Sequence, residues 1–186
     1  MRIVGGIYKG RIFTPNKKFS ARPTTDMAKE ALFNILSNRY EFNGFQAADL
    51  FSGTGSIGYE FISRGVNHVT FVEKNRLHVR FIRDTLLKLG VSNAHLIQED
   101  VFRFLKNCRQ TFDIIFADPP FDLPELESIP NAVFNSGILH EKSLFILEHP
   151  GSFNFSNHRN FIECRKYGKV NFSFFIRKEG DNNASE

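Results

Sequence analysis

Four acidic residues, Asp49, Glu73, Asp100 and Asp118, each stand where an apolar run gives out. The last is the most unusual. Phe112-Asp113-Ile114-Ile115-Phe116-Ala117 reads as a buried β-strand, and it runs straight into Asp118-Pro119-Pro120-Phe121. Proline lacks the backbone donor and has a fixed φ, so the ladder must stop there. The stop leaves a carboxylate and a phenyl ring on a stiff turn. Such a carboxylate can accept the hydrogens of a planar amine. The Pro119 carbonyl can share that task, Pro120 keeps the carbonyl aimed, and Phe121 can stack on the face of a ring. The competing reading is a proline-stopped turn with a packing phenylalanine.

A second motif changes the balance. Asp49-Leu50-Phe51-Ser52-Gly53-Thr54-Gly55-Ser56-Ile57-Gly58 holds a G-x-G-x-x-G directly after a predicted strand and before a predicted helix. Glycines there let the backbone turn tightly and approach a ligand. Glu73 lies about twenty residues further on, where a carboxylate can accept both hydroxyls of a ribose. In an open parallel sheet, ligands bind beyond the carboxyl ends of the strands, which is where all four acids fall. A nicotinamide dinucleotide would set its pyrophosphate against this loop, and Asp49 just before it is unfavourable for that. S-adenosylmethionine has no phosphate and carries an ammonium and a sulfonium, so a pocket rimmed by carboxylates suits it. The residues therefore favour S-adenosylmethionine over NAD.

The elements that must hold these residues follow from periodicity. Alternating strand and helix patterns begin near Phe45. Strands are expected at 45–51, 69–72, 94–98, 112–117 and 143–148, with helices at 56–64, from Asn75 to Gly90, and at 101–108. Residues 161–165 and 170–177 flank Tyr167-Gly168-Lys169, which reads as an antiparallel hairpin. The fold class is α/β: a mostly parallel, Rossmann-like sheet with an antiparallel C-terminal edge. Ahead of it, Ile3-Val4 and Arg11-Ile12-Phe13 are expected to pair around a turn near Lys9-Gly10, and Thr25-Asp26 opens a helix. The expected organisation is a basic N-terminal extension at 1–24, a catalytic domain at 25–178 and a disordered tail at 179–186.

The chain has 186 residues and a formal net charge of +4. Its 41% apolar and 24% charged residues are ordinary for a globular domain, and no apolar run reaches the length of a membrane span. The distribution of charge says more than its sum. Arg2, Lys9, Arg11, Lys17, Lys18 and Arg22 all precede the first acid, Asp26. That purely basic segment suits a phosphate backbone; its alternative is a solvated tail. Cys108 and Cys164 form no metal-like pair and read as reduced packing thiols, which makes the cytoplasm the default compartment. The six histidines show no ligand spacing, so no metal site is expected.

Together "RIVGGIYKGR", "RPTTDMAKEALFNIL", "DLFSGTGSIGYEFISRG", "VTFVEKN", "FDIIFADPPF" and "KYG" resemble, in order, the RsmD family of bacterial 16S rRNA guanine-N2 methyltransferases. The resemblance runs from Arg2 to Arg177. It implies a seven-stranded methyltransferase fold, a monomer, and a guanine of 16S rRNA in the small ribosomal subunit as substrate. It implies that Asp49, Phe51, Gly53, Gly55 and Gly58 line the methionine end of the cofactor. Glu73, with Lys74 beside it, would hold the ribose, and Asp100, with Val101, the adenine. Asp118, Pro119, Pro120 and Phe121 would present the guanine. Arg2, Lys9, Arg11, Arg22, Pro23 and Thr24 would face RNA. Phe121 stands where the family more often has Tyr, which keeps stacking but loses a hydroxyl. Two rivals remain at this stage. One is a DNA adenine-N6 methyltransferase, which also carries such a turn, although no target-recognition domain fits this length. The other is a non-enzymatic RNA-binding module on the same fold.

Overall fold

The computed structural model describes residues 1–15 and 25–178. Arg22, Pro23 and Thr24, the basic Lys17 and Lys18, and the tail from 179 lie outside the described residues. A seven-stranded sheet forms the centre, in the order β3-β2-β1-β4-β5-β7-β6. Its strands are β1 (Gln46–Leu50), β2 (His68–Val72), β3 (Ala94–Ile97), β4 (Phe112–Ala117), β5 (Leu139–Pro150), β6 (Phe161–Tyr167) and β7 (Val170–Ile176). β1 to β5 are parallel, and β7 pairs antiparallel with β5 and β6. The expected mostly parallel sheet with an antiparallel edge is what the chain forms. Order reverses between β1 and β4, which makes the crevice at their carboxyl ends the topological switch point.

Two apolar layers cover the sheet. On one face, α1 (Asp26–Arg39), α2 (Ser56–Ser63) and α3 (Arg76–Leu89) pack Leu32, Ile62 and Ile82 against Phe71, Ile114 and Phe172. On the other, α4 (Val101–Asn107) and α5 (Ile129–Phe134) pack Phe104, Ile129 and Val133 against Ile115, Phe145 and Phe175. The helix starts follow local chemistry. Thr25 caps α1 by accepting from the Ala28 amide, Asn75 caps α3 through Leu77, and Asp100 caps α4 through Phe102. Gly90 closes α3 in the left-handed region at φ 67°.

Two features were not legible in the periodicity. A 3-10 turn at Leu126–Ser128 leads into the short helix α5, held by burial of Leu126, Ile129 and Val133 rather than by any repeat. β5 begins four residues before the expected strand. Between the pairs Phe112–Leu139 and Ile114–Leu144 the register shifts, and Ser143 Oγ bridges the bulge, donating to the Phe112 carbonyl and accepting from the His140 amide.

The N-terminal residues form a minimal hairpin. One antiparallel bridge joins Arg2 and Ile12, and the reversal spans residues 5–10 rather than a tight turn at Lys9-Gly10. The hairpin lies along α2 and buries Ile3 in the same core as α1. This explains a helix with no exposed side: all eight residues of α2 are buried, Glu60 completely. A buried carboxylate needs partners. Glu60 accepts from the Val4 amide at 2.7 Å, stands 3.5 Å from Lys29 Nζ, and pairs closely with Arg64. Lys29, itself 1% exposed, donates to the Arg2 carbonyl. One charge cluster thus ties hairpin, α1 and α2 together.

Glu60→Gln keeps an acceptor for Val4 but removes one of the two counter-charges of the buried Lys29, leaving it with Asp26 Oδ1 at 3.5 Å, and removes that of Arg64. We expect a loss of about 3 kcal/mol in urea unfolding. An unchanged midpoint would show that the cluster contributes nothing net.

Candidate active site

Asp49 points from β1 towards the α2 face, and its Oδ2 accepts the Gly58 amide at 2.9 Å. Residues 51–55 reverse the chain in a tight loop. Gly53 at φ 54° and Gly55 at φ 78° sit in the left-handed region, and Phe51 at φ 57° is the single non-glycine there among the described residues. Gly58 answers a different need. A Cβ on it would stand 2.0 Å from Cε1 of Phe71, so a side chain would push α2 off β2. Sequence spacing found all three glycines; only packing tells that Gly58 is required by the sheet.

Glu73, at the end of β2, closes onto this loop. Its Oε2 accepts the Gly53 amide at 2.8 Å and its Oε1 the Asn75 amide at 2.7 Å. Burial works to raise its pKa. Hydrogen bonds from His78, Asn75 and Gly53 overcome that and hold the carboxyl below its usual range. An ionised carboxylate has about four lone-pair sites, so with these three bonds made one remains for a ligand hydroxyl. Asp100 is exposed at the tip of β3 and uses Oδ1 to cap α4. Val101 is buried beside it, Lys74 is exposed, and the Phe51 ring meets Phe102 edge-on at 6.4 Å.

Asp118 emerges from β4 next to the strand that carries Asp49, its amide bonded to the Leu50 carbonyl. Pro119 is buried, Pro120 exposed, and the Phe121 ring is 44% exposed. A ring of that size left in the open beside a rigid turn is available for stacking. Burial lifts the pKa of Asp118 well above the carboxylate range, and the charges of Glu148 and Asp49 add to it. Asp49 is raised too, by burial first and then by Glu73, against the hydrogen bond from Gly58. Glu148 is a residue that the sequence reading passed over. It lies near the end of β5, with Leu147 paired to Ala117, and is 2% exposed. Its signal was faint: an acid closing an apolar strand, as in the other four.

Beside the glycine loop opens a cleft of about 420 Å³, bounded by the open end of the hairpin and the first turns of α1 and α2. Ser56 lines it, and the Ser56 hydroxyl is buried with no hydrogen-bond partner among the described residues. An orphaned donor at a helix N-terminus, next to a glycine cradle and an acid rim, fits a ligand bearing both a carboxylate and positive charge. S-adenosylmethionine is such a ligand. The arm residues are spread out. Arg2 lies at the cleft and pairs with Asp26 at 2.9 Å. Lys9 and Arg11 are exposed further along the hairpin, whose far end bonds to Ser63 at the end of α2. One eight-residue helix, about 12 Å, separates the two ends.

Two outcomes follow. Gly58→Ala should lose 1–3 kcal/mol, roughly, in thermal or urea unfolding and weaken cofactor binding; wild-type values for both would refute the packing constraint. Asp118→Asn should raise Tm at pH 7 by a few degrees, since it removes a carboxylate whose ionised form is penalised. A raised folded-state pKa stabilises fully below the unfolded value and loses that contribution as pH rises through the folded one. The gain in Tm should therefore shrink as pH falls towards 4, and a gain independent of pH would sink the explanation.

The comparisons with known proteins agree with this geometry. The family described as Conserved hypothetical protein 95 matches residues 1–176. The Ribosomal RNA small subunit methyltransferase D of Buchnera aphidicola subsp. Baizongia pistaciae is 31% identical over 181 residues, 95% of this chain and 91% of its own. The protein of the same name from Escherichia coli K12 is 32% identical over 148 residues, covering 80% of this chain and 74% of its own. The solved structure of a hypothetical protein from Thermus thermophilus superposes with a TM-score of 0.84 at 27% identity, over 95% of this chain and 99% of that one. By sequence over nearly its whole length and by fold, the chain belongs to the RsmD family of methyltransferases.

Proposed function

We propose that the protein methylates the exocyclic N2 amine of one guanine in 16S rRNA of the small ribosomal subunit, using S-adenosylmethionine. The observation that carries this reading is the Asp118-Pro119-Pro120-Phe121 turn standing beside the Asp49 loop at the switch point of the sheet. Family membership and the relatives' names support the same class of substrate.

The cofactor would supply an electrophilic methyl group. Asp49, Phe51, Gly53, Gly55 and Gly58 hold its methionine end, Glu73 and Lys74 its ribose, and Asp100 and Val101 its adenine. The guanine amine is planar and weakly nucleophilic, because its lone pair is shared with the ring. Asp118 and the Pro119 carbonyl hold its hydrogens, Pro120 fixes that carbonyl, and Phe121 stacks on the base. On methylation the amine surrenders one proton. The Asp118 carboxylate, made more basic by burial and by Glu148 and Asp49, is the group we assign to receive it. Arg2, Lys9, Arg11, Arg22, Pro23 and Thr24 steer and hold the RNA, and the enzyme acts as a monomer in the cytoplasm.

The test supplies methyl-labelled S-adenosylmethionine with small subunits lacking the modification, free 16S rRNA, or adenine-rich duplex DNA. Label recovered as N2-methylguanosine from RNA is expected; label in DNA would replace this reading with adenine-N6 methylation. Asp118→Ala should reduce turnover by 10²-fold or more, roughly, with cofactor affinity nearly unchanged. Wild-type turnover in that variant would sink the mechanism.

A further inference from the structure

The turn Lys166-Tyr167-Gly168-Lys169 has no part in the site described above, yet strand register carries it to the same end of the sheet. β5 runs parallel to β4, with Leu147 beside Ala117, so both strands reach the same level at Asp118 and Glu148. β7 runs antiparallel to β5, and its first residue, Val170, pairs with Pro150, the last residue of β5. The loop that precedes β7 must therefore project beyond the carboxyl ends of the parallel strands. Two strand spacings, roughly 10 Å, separate β7 from β4.

The turn is stiff and strongly cationic. Tyr167 pairs with Val170, which leaves a two-residue loop, and Gly168 occupies its first place at φ 62°. That arrangement matches the twist of the flanking strands and holds the loop tightly. Tyr167 is half-buried, with its ring 5.9 Å from that of Phe172. Lys166 and Lys169 are exposed, and neither has an ion-pair partner among the described residues. Arg165, by contrast, is committed to Glu163 at 2.6 Å. The acids at the switch point thus lie between two basic margins, the hairpin with Arg2 on the α2 side and this turn on the β7 side.

We propose that Lys166 and Lys169 form a second phosphate-binding margin, which grips the RNA strand on the side of the target base opposite the N-terminal hairpin. The inference rests on the RNA-methylating reading above. Two margins give a physical reason for a base to be presented at Asp118: a strand held on both sides of one nucleotide fixes where that nucleotide lies.

The experiment compares the wild type with Lys166→Glu/Lys169→Glu and Lys166→Gln/Lys169→Gln in the full chain. The assay is methyl transfer to small subunits lacking the modification, at several salt concentrations. The charge-reversed variant should raise KM for subunits roughly tenfold while kcat stays within about twofold, and the neutral variant should fall between. The plot of log affinity against log salt should flatten by about 1.4 to 1.8 in slope, the contribution of two phosphate contacts. Cofactor affinity, measured separately by calorimetry, should not move. An unchanged KM and salt slope, with an active wild type, would overturn this proposal alone. A parallel loss of cofactor affinity would also overturn it, by showing that the turn only supports the fold. A wild type inactive on every RNA would remove the functional reading and this margin with it.

Discussion

Burial of like charge at the switch point is the constraint around which the rest is arranged. Asp49, Asp118 and Glu148 come from three adjacent strands and meet at their carboxyl ends, where burial and neighbouring negative charge disfavour ionisation of Asp49 and Asp118. A fold does not gather carboxyls there for stability. Each would be better placed in water, and their gathering costs free energy that the apolar layers on both sheet faces must offset. The arrangement makes sense if a cation is to enter. Positive charge there would relieve the repulsion and favour the carboxylate forms. Glu73 is the contrast. Backbone amides satisfy it, it stays ionised, and it can act as a fixed acceptor.

Holding those acids requires a tightly specified backbone, and the loop after β1 supplies it through left-handed backbone at three positions, strained only at Phe51. The left-handed Phe51, Gly53 and Gly55 turn the chain back so that the amide of Gly58 reaches Asp49 and that of Gly53 reaches Glu73. α2 must then lie flat on β2, and the missing side chain of Gly58 allows it. With its inner side on the sheet, α2 carries Glu60 on the outside, and the hairpin completes that surface. Lys29 and Arg64 neutralise Glu60, while Val4 and Arg2 contribute backbone groups. The hairpin is consequently no loose tail. Its position relative to the glycine loop is set by buried charge, and one end of it borders the cleft at Ser56.

Much of this was legible in the sequence because it is local. Apolar runs closed by acids marked four of the strands and the end of the sheet that matters. Capping residues at Thr25 and Asn75, and the stop at Gly90, marked helix boundaries to within a residue or two. Spacing alone identified the glycine loop, Glu73 and the proline turn. All of these depend on backbone chemistry within a few residues, which composition and periodicity record directly.

What the sequence could not specify depends on contacts between distant segments. α5 has no periodic signal, since its apolar residues are chosen by the groove they fill. The early start of β5 depends on a bulge bridged by Ser143 to Phe112, 31 residues away. Glu148 stands beside Asp118 only through strand register, and Glu60 is buried only because the hairpin covers it. The placement of Lys166 and Lys169 at the end of the sheet that carries Asp118 follows only from the pairing of Val170 with Pro150. The sequence by itself determined the element types, the end of the sheet where the acids gather, and the residues able to do chemistry, because those follow from local propensity and side-chain type. The tertiary structure alone decided which charges share a low-dielectric space, because that depends on strand order and register, which no local pattern encodes.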